Sequence, residues 1–228
     1  MAALVGCGIH NARIDVTAGE VPIMDGSASV FVRAFLNAGI VAQRAPVKAL
    51  RVLKPVEVRR GDAVARIMPH KTLLIEFDIE FEDQASGAQS KKLNMSNGSF
   101  VRELCSSRTF CRQADVDHMQ ANGLALGGSP GENAVVFDGD KIVSPGGLRH
   151  ADEPVRHKML DALGELGLAG VPILGHYQGI RAGHALTNDL LRALFADREA
   201  FEIVECDPKM LSLLPGAGVH LGELPEVA

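Results

Sequence analysis

The chain has 228 residues and a formal net charge of −5. Its 46% hydrophobic content is enough for a packed core, and 22% charged residues is close to the globular average, which excludes wholesale disorder. No basic tract with interleaved aromatics occurs and Trp is absent, so nucleic acid is excluded as the expected partner. The cysteines, Cys7, Cys105, Cys111 and Cys206, form no C-x-x-C pair, and reduced thiols in a cytoplasmic protein are the simplest reading. The uncharged run from Leu166 to Ile180 contains Gly and Pro and is too short to span a bilayer, and MAALVGCGIH lacks a basic signal-peptide start, so no transmembrane segment is expected.

In chain order, MAALVGCGIH reads as the end of a helix running into glycine, and ARIDV, residues 12–16, as a short strand. The chain turns at Asp25-Gly26 and enters a helix with Ser27 as N-cap, Val30, Phe31, Ala34 and Phe35 as apolar face and Gly39 as stop. Residues 40–46 form a linker. PVEVRRGDAVARI is a hairpin around Gly61-Asp62. In LIEFDIEFE, residues 74–82, Ile75, Phe77, Ile79 and Phe81 alternate with acids, which makes one face core and the other the wet side of a sheet. QASGAQS is a loop, KKLNMS a strand, and residues 99–105 a short helix. Residues 108–138 form a small unit: RTF, a helix DVDHMQA, the glycine-rich GLALGGSPGE, and NAVVF paired with KIVS across Asp138-Gly139. GVPILGHY is a strand, with Pro172 suiting an edge or a strand beginning. Residues 184–197 are an amphipathic helix with Leu186, Leu190, Leu191 and Leu194 on one face. AFEIVEC is a last strand, and the tail after Asp207 is expected to be loose. Strands joined by hairpins, followed by helices, argue an α+β fold with mostly antiparallel sheets.

The helix VRHKMLDALGEL, residues 155–166, carries the chemistry. Val155, Met159, Ala162, Leu163 and Leu166 give it a core side, while His157, Asp161 and Glu165 recur every fourth residue on another. An imidazole and a carboxylate at i, i+4 can both reach one zinc ion, although a solvated helix face gives the same pattern. His184 sits at a helix start, where the dipole disfavours its charge unless a carboxylate restores it. Arg108 reads equally well as a surface salt-bridge partner, and LGGS at 126–129 is a tight turn more than a phosphate loop.

EVPIMDGSASVFV, KKLNMSNGSFVRELCSSRTF, GLALGGSPGENAVV, GLRHADEPVRHKMLDALGEL and GHALTNDLL occur in this order, and together they resemble the UDP-3-O-acyl-N-acetylglucosamine deacetylases, zinc amidases of lipid A biosynthesis in Gram-negative bacteria. The resemblance implies two similar α+β domains whose helix layers face one another across the active site. Residues 1–45 would be the end of an incomplete first domain, and 46–228 the second, with an acyl-passage insert at about 111–138. It implies His157 and Asp161 as zinc ligands. It implies His184 as the charged group that stabilises the oxyanion or protonates the departing amine, and Glu165 as its carboxylate partner where relatives have Asp. Thr109 would be the oxyanion donor, Lys158 and Phe110 substrate contacts, and Val116, Met119 and Ala125 passage lining. Arg112 stands where some relatives place an apolar passage residue, which implies a different acyl-length preference. The expected reaction is zinc-dependent hydrolysis of the N-acetyl group of the acylated UDP-amino sugar, releasing acetate, by a protein that is monomeric when full length. The family's general-base Glu and third zinc-ligand His would precede Met1, and neither His10 nor Glu20 matches them. The chain is therefore expected to be N-terminally short, and the alternative is an inactive remnant that still binds acylated nucleotide sugar.

Overall fold

The computed structural model describes residues 1–81, 87–116 and 133–225. Two helices open the chain, α1 (Ala2–Gly6) and α2 (Ser29–Ala38). Strands β1 (Lys48–Val52), β2 (Val56–Arg60), β3 (Ala63–Pro69), β4 (Leu73–Glu80) and β5 (Ala88–Asn94) follow, then a π-helix at Phe100–Leu104. A small sheet holds β6 (Phe110–Arg112), β7 (Val135–Asp138) and β8 (Lys141–Ile142). The chain continues through α3 (Glu153–Leu166), β9 (Ile173–Ile180), α4 (His184–Ala196), β10 (Phe201–Glu205) and α5 (Pro208–Leu211).

The large sheet is organised on β9. From Gly175 to Ile180 this strand lies between β3, antiparallel, and β4, parallel, while Ile173 and Leu174 pair with β1. Antiparallel pairs predominate and helices cover the sheet, so the fold is α+β as expected. Pro172 marks the beginning of this strand and not an edge: it precedes the ladder, and its carbonyl accepts the Leu50 N–H at 2.8 Å. The parallel β4–β9 pair needs a crossover, which α3 supplies, so hairpins alone do not make this sheet.

One face of the sheet meets α3 and α4. Ile75, Phe77 and Ile79 of β4 pack with Val155, Met159, Ala162, Leu163 and Leu166 of α3 and with Leu186, Leu190, Leu191 and Leu194 of α4 in a single buried cluster. On β9 the helix-facing positions alternate glycine with bulk, because a Cβ on Gly179 would stand 2.7 Å from the Phe77 ring and one on Gly175 2.8 Å from Val52. The Phe77 ring and the Val52 and Ile67 side chains occupy the space these glycines leave.

Several local expectations are corrected. Residues 12–16 are exposed and carry no strand pairing among the described residues; a strand with no ladder partner leaves its backbone to water. Ser27 is not the N-cap of α2: the helix starts at Ser29, and the Ser27 hydroxyl instead bridges Asp25 and Ser29. The buried residues of α2 are Ser29 and Val32; Phe31 and Phe35 of the expected apolar face are half-buried against the core, whereas Ala34 is exposed. β5 already begins at Ala88, inside the stretch QASGAQS expected as loop. The β7–β8 turn falls on Gly139-Asp140, one residue later than expected. DVDHMQA is helical at 115–116, and its remainder, like GLALGGSPGE, lies outside the described residues. The tail is ordered where it packs. Asp207 caps α5 by accepting from Met210 N at 2.7 Å, and Leu214 fills a small core with Ala49, Leu174 and Cys206 on the far side of the sheet.

Phe77→Ala, at a position 2% exposed, should lower unfolding free energy by about 3–5 kcal/mol in urea titration, because the neighbouring Gly179 offers no side chain to refill the void.

Candidate active site

The site is built around a short loop, Ser106 to Thr109, laid against the first turns of α3. Arg108 is not a surface partner; it is buried, and so is Glu153 at the start of α3. The Glu153 carboxylate accepts from Arg108 N at 2.8 Å, Arg108 Nε at 3.0 Å, Arg108 Nη2 at 3.1 Å and Arg149 N at 2.7 Å. A buried ion pair is tolerable only when its lone pairs and protons are this fully satisfied, and a carboxylate in a helix's first turn also suits the dipole.

Thr109 is fixed from both sides. Its N–H donates to the Gly26 carbonyl at 2.8 Å, and its carbonyl accepts from Val135 N at 2.8 Å. Gly26 has φ +81° and lies so close to the Asn133 carbonyl that a Cβ would approach it to 1.9 Å, so only glycine serves there. Asp25 receives the Ser27 N–H and hydroxyl and the Arg149 guanidinium, and Arg149 also donates to the Ser106 carbonyl at 2.9 Å. Burial alone would raise the Asp25 pKa; the hydrogen bonds from Arg149 and Ser27 outweigh it and hold the carboxyl below its ordinary range.

One turn along α3 from Glu153, His157 is buried. Its Nδ1 stands 3.0 Å from the Ser107 carbonyl and therefore carries the proton, because a carbonyl can only accept. Nε2 then turns toward Asp161 Oδ1 at 3.3 Å, and Lys158 Nζ donates to the other oxygen of Asp161 at 3.0 Å. Phe110 meets the His157 ring edge-on, with centroids 6.3 Å apart, and also touches Phe81 and Phe137. At the N-terminus of α4, the exposed His184 donates through Nδ1 to Glu165. That hydrogen bond is the main reason its imidazole titrates above the ordinary range; burial opposes the shift, and the Asp161 charge adds to it.

Thr109, Phe110, His157, Lys158, Asp161 and His184 line one cleft of about 390 Å³, and Glu165 stands behind His184. Val116 is buried and is not part of this lining, while Met119 and Ala125 lie outside the described residues. Sequence reasoning missed Ile79, Glu80, Phe81 and Arg181, which with Ala182 and Gly183 complete the wall. Phe81 was absorbed into the alternation of β4. Arg181 sits at the turn from β9 into α4 with φ +48°, a strained non-glycine conformation that composition does not announce.

The donor set bears on a metal. Nε2 of His157 and Oδ1 of Asp161 both present lone pairs across 3.3 Å, an arrangement relieved by a proton or a cation between them. The Nδ1–H bond to a backbone carbonyl is the outer-shell partner that ligating histidines use. Both ligand types suit zinc, although the two form no cluster with a third His, Cys, Asp or Glu among the described residues. No helix among the described residues is long and apolar enough to cross a membrane.

An α+β layer that brings imidazole, carboxylate, hydroxyl and ammonium groups into one cleft defines a protein with a polar, small-molecule-sized site. The chain belongs to the UDP-3-O-acyl N-acetylglycosamine deacetylase family, whose model matches residues 1–196. It is 45% identical over 226 residues to the UDP-3-O-acyl-N-acetylglucosamine deacetylase of Shewanella frigidimarina (strain NCIMB 400), a match that covers 96% of this chain and 74% of the relative. A Shewanella baltica (strain OS155) protein of the same name is 45% identical over 224 residues, covering 96% of this chain and 73% of the relative.

Because the pKa of His184 is raised on folding, its pair with Glu165 stabilises the protein fully below the ordinary imidazole pKa, and that contribution is lost as pH rises through the folded value. Glu165→Gln should lower the His184 titration midpoint, followed by NMR, and remove this component of the pH dependence of thermal unfolding.

Proposed function

We propose that the cleft hydrolyses the N-acetyl group of UDP-3-O-acyl-N-acetylglucosamine with the help of zinc, releasing acetate, in the cytoplasmic synthesis of lipid A. The observation that carries this reading is the convergence of Thr109, His157, Asp161 and His184 on one cleft in a chain of this family. His157 Nε2 and Asp161 Oδ1 would hold the metal, with at least one further donor needed to reach the three protein ligands of catalytic zinc sites. When bound, zinc supplies Lewis acidity and a water acidic enough to attack near neutral pH.

The remaining work falls to side chains of this chain. The Thr109 hydroxyl, on a backbone pinned at both its N–H and its carbonyl, donates to the oxygen on which charge develops. His184, kept protonated by Glu165, supplies positive charge to that oxygen or a proton to the departing nitrogen. Lys158 and Arg181 are the cations suited to a nucleotide diphosphate, and Phe81 and Phe110 give apolar surface to a sugar or base. A second reading is favoured by the pairing of two metal-type donors with no third among the described residues: the chain binds the acylated nucleotide sugar without turning it over.

Acetate release from UDP-3-O-acyl-N-acetylglucosamine by the purified chain with zinc decides between them. Release supports hydrolysis; saturable binding of intact substrate supports the second reading; and neither outcome refutes both. Where acetate is released, Thr109→Val should reduce kcat by roughly 100-fold with little change in KM, as expected for an oxyanion donor.

A further inference from the structure

The loop and helix meet at a single peptide group. The Ser107 carbonyl and the Arg108 N–H belong to one planar unit and point in opposite directions. Its N–H end is bound to Glu153 Oε1 at 2.8 Å, and its carbonyl end is bound to His157 Nδ1 at 3.0 Å. Glu153 and His157 are i and i+4 on α3, stacked on one helix face about one turn apart. The peptide plane thus lies along the helix, held at both ends by side chains of the same face.

We propose that Glu153 is a positioning residue for His157, acting through the Ser107–Arg108 peptide. While the carboxylate holds the N–H end, the plane cannot turn, so the carbonyl end stays aimed at Nδ1. The carbonyl then dictates the tautomer with hydrogen on Nδ1 and a lone pair on Nε2, the atom that faces Asp161. The same plane sets where Thr109, the next residue, enters the cleft. Neutralising Arg108 is not the whole task of Glu153, because two of its four bonds go to backbone N–H groups, of Arg108 and of Arg149, that carry no formal charge. The catalytic consequence rests on the proposed function above; the tautomer does not.

The test is the His157 tautomer, read from ring 15N shifts of the full chain at about pH 9, where an ordinary imidazole is neutral. The native chain should show a single Nδ1–H form. Arg108→Met with Glu153→Met removes the clamp without leaving a lone buried charge, so the variant is expected to fold. It should show a mixture of tautomers. Arg108→Leu with Glu153→Leu, which likewise leaves no acceptor at 153 and no lone buried charge, carries the same test should the first double variant not fold. Arg108→Lys keeps both the carboxylate and the backbone N–H and should keep the single form. Arg102→Ala removes the Arg102–Glu223 ion pair, which shares no atom with the clamp, and should keep it too. Retention of a single Nδ1–H form after loss of the Glu153 carboxylate overturns the proposal, whatever the activity. If the native chain releases acetate, the double variant should lose about 10- to 100-fold in kcat with KM nearly unchanged. A native chain that releases none counts against the proposed function alone, since the spectra still decide the role of Glu153.

Discussion

The burial of one carboxylate organises this molecule. Glu153 is fully buried, which an isolated charge does not survive, and every acceptor position on it must be filled. The donors come from two segments distant in sequence, Arg108 and Arg149. Meeting that demand brings the SSRTF loop onto α3, and Arg149 in turn reaches Asp25 in the MDGS turn, whose glycine carbonyl receives Thr109. Three stretches that look like separate motifs in the sequence are thus parts of one polar knot. A network of this kind is costly when partly satisfied and specific when complete, so it fixes geometry where a purely apolar contact would allow sliding.

The sheet imposes a second constraint. β9 is bound on both sides and delivers the chain directly into α4, so the turn at Arg181 and His184 is set by the end of the most confined strand. α3 packs on β4, which pairs with the same strand. The cleft lies between elements anchored independently to one ladder, one by packing and one by chain continuity. The opposite face of the sheet is also organised: Glu76 takes His176, Lys92 and Gln178 as partners at 2.9–3.0 Å, and the small core around Leu214 seats the tail behind it. The alternating acids of β4, which read as a simple wet face, therefore do structural work at Glu76.

Much of this was legible beforehand. Period-2 alternation located β4, the Gly61-Asp62 hairpin followed from turn chemistry, and the core sides of α3 and α4 followed from helical spacing, with Val155, Met159, Ala162, Leu163 and Leu166 all buried. The meeting of Thr109, Phe110, His157, Lys158, Asp161 and His184 followed from resemblance, since no spacing rule relates residue 109 to residue 184. What was not legible is long-range polar pairing. Arg108 looks like any exposed arginine until Glu153 is known to be beside it, and Asp207 looks like part of a loose tail until Leu214 is seen in a core. Residues 12–16 failed in the opposite sense: β-type alternation states a capacity to pair, and pairing also requires a neighbouring strand.

The cleft's charges share a pattern that bears on how it would receive an anion. Lys158 lies on Asp161, Arg181 on Glu80, and His184 on Glu165. Each cation is thus oriented before any ligand arrives, and less side-chain entropy remains to be lost on binding. Asp161 is divided between two tasks, one oxygen toward His157 Nε2 and the other held by Lys158. An amide in its place would have to turn its NH2 group toward either the lysine or the imidazole lone pair, and an NH2 directed at the lysine would repel it. Turned toward Nε2, that NH2 would donate to the imidazole while the amide oxygen accepted from the lysine; aspartate instead sets a lone pair beside the one on Nε2, so these neighbours alone do not account for the identity of residue 161, whereas a shared proton or cation would.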